Sequence, residues 1–412
     1  MNHLLRKTLL GSAATITLAA GTSAQADDTI TFGLLQDFTA VYTFVTDEYH
    51  QGQQDYLELI NQRGGIEGKT FDTFVRDTGN EPDRGIEAYS RARGEGAVLV
   101  DFLSTPVSRA IVDRALDDET VMITPLHGRG DASHGETFPY VFPMMATYWA
   151  QATALLDYID EQRGGLEGKT IAHVYIDTPF GREPIPVLEE LAEREGFQLE
   201  TFAYPTPGTE QSATWSNVRR ARPDHVLIWG VGGGQPVSVR EAIRNGIAPE
   251  DILSVVWLAE TDANTVGRDR FEGVRRFEAV AAGTDYPIIE AIQEEVIEPG
   301  HGSGSEENVG TSYYNIGVAT MAVAVEAARN AIEEHGVVTG ETLRDGFYGI
   351  EDYDAEGLMP PVTFSPDDHQ GGGMGRVSKW DGDSWEPLTD WFSAHEDVVW
   401  EAIERDAADF RD

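Results

Sequence analysis

Cysteine is absent from all 412 residues. That excludes disulfides, thiolate metal sites and a cysteine nucleophile, so stability must come from packing. Basic residues are scarce: 30 Lys and Arg stand against 71 Asp and Glu, for a formal charge of −41. A chain of that sign repels nucleic acid and anionic lipid. The acids are spread along the chain rather than gathered in a tail, as on a solvated surface suited to high salt, where screening suppresses self-repulsion. Beyond the N-terminus no window holds the ~20 uninterrupted apolar residues of a membrane helix. Also missing are a G-x-S-x-G elbow and an H-E-x-x-H pair.

What is present begins with an address. Arg6 and Lys7 precede an apolar stretch over 9–20, and Ala24-Gln25-Ala26 forms an A-x-A cleavage site. Residues 1–26 are expected to be a signal peptide, removed to leave a chain starting at Asp27 with no cysteine for lipid attachment. The product is expected to be exported to the periplasm, without stable membrane insertion.

The remaining length suits two lobes, and hydrophobic content of 41 % supplies real cores. Strand-like runs such as TITFGLL (29–35), AVLVDFL (97–103), TVMIT (120–124), TIAHVYI (170–176) and DHVLIW (224–229) alternate with helical segments. The order predicts an α/β fold, parallel sheets wound with helices on both faces. An internal echo supports duplicated architecture: QRGGIEGKT at 62–70 returns as QRGGLEGKT at 162–170. Each copy should end a helix on a left-handed glycine and open a strand. A polar stretch at 298–308 reads as a flexible loop, 312–334 as a long buried helix, and 376–391 as a hairpin around the turn at 381–384.

Several constellations invite chemistry. After the 97–103 strand, Ser104 and Thr105 precede Pro106. Thr105 is expected as N-cap with Pro106 at N1, so that the helix start and the hydroxyls could hold a carboxylate. The position favours a site, because open α/β sheets bind ligands at the carboxyl edge. The loop after the next strand carries Leu126, His127, Gly128 and Arg129, where His127 could donate to a carboxylate and Arg129 pair with one. The Gly230–Gly234 run lacks the spacing of a dinucleotide or phosphate loop and reads as a close-approach turn around Val231. Glu260 closes another strand and could receive an ammonium group. Asp367, Asp368 and His369 are adjacent and do not converge on one ion. No metal and no cofactor is expected.

The stretch from 32 to about 391 resembles the type I periplasmic binding proteins of branched-chain amino-acid transporters, the leucine/isoleucine/valine-binding family. The resemblance rests on Gly52, Ile60-Asn61, Gly64 to Gly68 and Arg76-Asp77, on Val121 to Pro125, and on Asp177 with Phe180-Gly181. It implies two doubly wound lobes joined by a three-strand hinge, 27–146 with 282–364 and 147–281 with 365–412, closing on a ligand. It implies no enzyme but a monomeric solute-binding protein that delivers an amino acid, amide or organic acid to the permease subunits of an ABC transporter. In that family's pattern Thr105 falls on the carboxylate-binding serine, Leu126 and Gly128 on the next loop's contacts, and Glu260 on the ammonium-binding glutamate. Phe180 falls on a cleft tyrosine, keeping the ring and losing the hydroxyl. Tyr42, or else Phe44, falls on the first-loop aromatic, and Val231 where a tyrosine is frequent. Gly128 replaces a hydroxyl, while His127 and Arg129 add positive charge, which would shift the pocket towards another carboxylate, an amide or an aromatic acid. The competing readings are a sensing partner for a chemoreceptor or kinase, and an exported hydrolase.

Overall fold

The structure, a computed structural model, describes residues 29–411; the expected signal peptide lies outside the described residues. Twelve strands run β1 (Thr29–Gln36), β2 (Thr70–Asp77), β3 (Leu99–Asp101), β4 (Val121–Ile123), β5 (Val141–Phe142), β6 (Thr170–Ile176), β7 (Gln198–Tyr204), β8 (His225–Trp229), β9 (Ile252–Ser254), β10 (Arg275–Glu278), β11 (Arg376–Trp380) and β12 (Trp385–Pro387). They form two sheets, one per lobe. The first has the order β2-β1-β3-β4-β5 and is parallel throughout. The second has the order β12-β11-β10-β9-β8-β6-β7, parallel from β7 to β10, with an antiparallel hairpin at its edge.

Apolar side chains alternate between two buried faces in the first sheet. Phe32, Leu34, Leu99 and Ile123 join one core; Leu35, Val100 and Met122 join another with Ile111 and Phe138. Burial on both faces is why these strands read as continuous apolar runs. After β10 the chain returns to the first lobe through the helix Ser312–His335, packed against the helix Thr43–Gln62. Glycines permit their close approach: a Cβ on Gly52 would sit 2.1 Å from the Tyr314 carbonyl oxygen, and one on Gly317 2.1 Å from that of Tyr49.

The repeated turns behave as their glycines require. Gly64 and Gly164 have φ of 94° and 93°, and Gly65 and Gly165 follow at 70° and 88°. The loop at 298–308 is not free. Gln51 donates to the Ser305 carbonyl (3.0 Å) and accepts from Asn308 (2.9 Å), and Asp55 accepts from the backbone and hydroxyl of Ser303 (2.7 and 2.8 Å). Buried polar residues on the Thr43–Gln62 helix find partners there.

Residues beyond 364 divide between the lobes. The His369 ring stacks on Phe142 at 4.0 Å, and the His369 backbone N–H donates to the Ser133 carbonyl (3.0 Å). Burial pushes its pKa down to about 4. Asp368 accepts from the backbone of Gln370, Gly371 and Gly372. Among the described residues no cluster of three or more candidate ligands could hold a metal ion. The C-terminal helix Glu396–Arg411 starts on the second lobe, where Asp397 pairs with Arg194 at 2.5 Å. It ends on the first, where Phe410 meets Phe138 at 4.6 Å between ring centres.

Candidate functional site

The carboxyl ends of the two sheets face each other, and the loops that leave them close on a narrow cavity of about 10 Å³, room for about one water. Tyr42, Phe44, Val45, Leu103, Thr105 and His127 line it from the first lobe, and Tyr148 and Trp257 from the second. Of the residues expected from sequence, Tyr42, Thr105 and His127 come together here, and so does Phe44.

The loop 102–105 shows how the hydroxyls divide. Ser104, not Thr105, is the N-cap. Its backbone is extended and its Oγ accepts from Val107 N at 3.3 Å, which places Thr105 at N1 and Pro106 at N2. Ser104 Oγ donates to Asn80 Oδ1 at 2.7 Å and is therefore occupied. The Thr105 hydroxyl accepts from Gly128 N at 3.3 Å, and its own proton is turned towards the Tyr148 hydroxyl of the opposite lobe. Gly128 has φ of 93°, and a Cβ there would lie 3.0 Å from that of Thr124, so the turn suits glycine. Leu126 is buried beneath this loop.

His127 is the most unusual member. Its side chain is 3 % exposed, and both ring nitrogens lack a hydrogen-bond partner. Asp101 Oδ1 stands 3.9 Å from Nε2, beyond bonding distance. Asp101 itself is well served: it accepts from Tyr49 (2.8 Å), Gln53 (2.9 Å), Gln36 (3.1 Å) and the Leu103 backbone (3.1 Å).

From the opposite lobe, Tyr148 Oη accepts from Trp257 Nε1 at 2.8 Å. Phe180 lies behind Tyr148, edge to face at 5.0 Å, and so supports the wall without lining it. Val231 is buried in the adjoining glycine turn. That turn makes the close approach expected of it, towards the opposite lobe: a Cβ on Gly232 would meet the Val41 carbonyl oxygen at 3.1 Å and the Phe44 ring at 3.3 Å.

Two expected contacts go elsewhere. Arg129 pairs with Asp131 and lies over the rings of Phe138 and Phe410, where aromatic faces and a carboxylate hold it away from the cavity. Glu260 does not line the cavity. Its Oε1 accepts from Ser312 Oγ at 2.6 Å and its Oε2 from Ser312 N at 3.4 Å, at the start of the Ser312–His335 helix. A carboxylate there satisfies a helix N-terminus. Glu48 takes the adjacent hydroxyl, Thr311 Oγ1, at 2.7 Å. Burial pushes the Glu48 pKa up to about 7, with Glu260 and Asp47 adding to the rise and Thr311 opposing it. Burial likewise pushes Asp262 up to about 7, helped by Glu260 and Glu48 and opposed by the Ala259 N–H and Arg276.

Outside the cavity, a further carboxylate joins the lobes. Glu183 pairs with Arg109, and its Oε1 accepts from Gly130 N at 2.9 Å. Burial raises its pKa, with the Arg109 charge and the Gly130 N–H opposing.

A model of the periplasmic binding protein family matches residues 29–384. The chain belongs to that family. A solved structure described as an ABC transporter permease from the Pseudomonas fluorescens group is 33 % identical, with a TM-score of 0.86 over 93 % of this chain and 97 % of that one. A branched-chain amino-acid ABC transporter protein from Thermus thermophilus with bound valine shares the fold at 20 % identity, with a TM-score of 0.79 over 91 % of this chain and 98 % of the other. Leu/Ile/Val-binding protein homolog 3 of Brucella melitensis is 24 % identical over 226 residues, 54 % of this chain. The match spans 60 % of the Brucella protein's length. No helix among the described residues is long and apolar enough to cross a membrane.

Proposed function

We propose that the chain is an exported, monomeric solute-binding protein that captures a small carboxylate-bearing molecule between its lobes and presents it to the permease of an ABC importer. The lobes are 27–146 with 282–364 and 147–281 with 365–412, the last segment crossing between them. One observation carries the reading. Thr105 and His127, a hydroxyl and an unpartnered imidazole, open onto the same cavity as Tyr148 and Trp257 of the opposite lobe.

Capture needs no bond made or broken. A ligand touching both walls binds the closed form better than the open one, and only that difference shifts the population. Thr105 and His127 grip the carboxylate, Tyr42 and Phe44 cover it, and Ser104, Leu126, Gly128, Phe180 and Val231 set the loops around it. Glu260 takes no part in the grip and stays on Ser312, at the start of the Ser312–His335 helix. A thermal-shift screen of amino acids, amides and organic acids tests this, because a true ligand raises the melting temperature by mass action. Thr105→Ala should erase the shift. An unchanged shift in that variant would remove Thr105 from the site.

A further inference from the structure

We infer that the ligand is a small ring-bearing monocarboxylate without an amino group. The inference rests on the cavity being the ligand site and names what that site selects.

Three features of the wall carry it. The first is the imidazole of His127. A buried polar group without a partner is costly, and here both ring nitrogens are orphaned on a side chain 3 % exposed. The hydroxyl proton of Thr105 is the next polar donor on this wall, beside the start of the helix Thr105–Asp117. Two donors and a helix N-terminus within one small space call for an acceptor, and a carboxylate satisfies them together.

The second is the absence of a receiver for a cation. Among the residues lining the cavity none is Asp or Glu. The nearest candidate by sequence, Glu260, places one oxygen on the Ser312 hydroxyl and the other towards the Ser312 N–H. Trp257 and Phe44 both line the cavity, and Tyr313, which packs on both rings, donates to the Trp257 carbonyl at 2.9 Å. An ammonium brought into this space would be stripped of water without a counter-charge.

The third is the shape of the remaining wall. Tyr42, Phe44, Tyr148 and Trp257 present four rings from both lobes. Ring faces and edges pair well with a flat apolar body.

Titration calorimetry on the full chain with four probes decides the matter: benzoate, benzamide, phenylalanine and leucine. Benzoate should saturate the protein. Benzamide, of the same shape and uncharged, and both amino acids should bind at least about tenfold more weakly, the scale of one charge-assisted hydrogen bond. His127→Ala should bring the preference for benzoate over benzamide close to unity, and Glu260→Gln should leave benzoate binding within about twofold. Tighter binding of leucine or phenylalanine than of benzoate overturns the ligand class and leaves the site standing. So does loss of benzoate binding in Glu260→Gln. A best probe that binds equally well to Thr105→Ala and His127→Ala sinks the site itself. Saturation by none of the four also overturns the class.

Discussion

Two groups of polar residues meet at the mouth of the cleft, and they are finished to different degrees. Around Glu260 nearly every charge has its partner. Ser312 and Thr311 cap two carboxylates, and Arg276 donates to the Leu258 carbonyl (2.7 Å), Ser312 Oγ (2.8 Å) and Glu278 (3.0 Å). Around His127 the imidazole has none. The first group is satisfied by the fold itself, and the second is the one proposed to receive the ligand. Buried polar atoms left unpaired are the ones to suspect of binding, whereas buried charges that satisfy one another belong to architecture.

The largest break in that contrast should come from Arg276→Leu. Burial alone would push Glu278 up, and the Arg276 and Arg376 charges with the Ser378 hydroxyl hold it below the ordinary carboxylate value. Removing the 2 %-exposed Arg276 side chain strands part of that network. It should cost about 3–5 kcal/mol in urea denaturation. Next, His127→Phe should abolish ligand binding yet keep or raise unliganded stability by up to about 1 kcal/mol, because it removes an orphaned polar ring. A large loss of stability there would show that the imidazole is structural. Smaller again, Ser312→Ala uncaps Glu260 and should cost about 1 kcal/mol; thermal melts would read it.

The subtlest test concerns pH. The Glu48 pKa is raised by folding to about 7, so the native state holds its proton where the unfolded chain has lost it. Its contribution is fully present below the unfolded value, near the ordinary carboxylate range, and is lost as pH rises through about 7. Glu48→Gln should therefore narrow the fall in melting temperature between pH 6 and 8. Half-buried His50 and buried His173 and His369, each pushed down to about 4 by loss of water around the ring, have the opposite sign and weaken the fold as pH drops below the ordinary histidine range. Below the ordinary carboxylate range, where Glu48 holds its proton folded and unfolded alike, Glu48→Gln should leave the slope of the acid limb unchanged.

Much of this was legible before the coordinates. The parallel strand order follows from alternating apolar runs, and the twin glycine turns from their own spelling, since a left-handed cap favours a residue without Cβ. Thr105 and His127 could be singled out because strand ends in such sheets converge on one edge. The division of labour between Ser104 and Thr105 could not, because either hydroxyl can cap, and Asn80, 24 residues away, decides which is occupied. Glu260 reads as a free acid, since its partner Ser312 lies 52 residues on. Tyr148 and Trp257 were missed as wall residues because an aromatic at a helix start or strand end looks like core. The one available signal was that Trp257 stands three residues before Glu260. Arg129 carries no local mark of its seat on Phe138 and Phe410.

The C-terminal helix sets terms for the hinge. Val398, Val399, Ala402 and Ile403 are buried in the core that includes the second sheet, while Ala407 and Phe410 reach the core on the far face of the first. A stiff rod seated at both ends cannot stretch. Parting of the lobes must either pivot about the helix axis or lift its last turn, with Phe410 leaving Phe138 and Arg129. Each excursion to the empty form is then recorded some distance from the cavity, in the exposure of one phenylalanine at the tail.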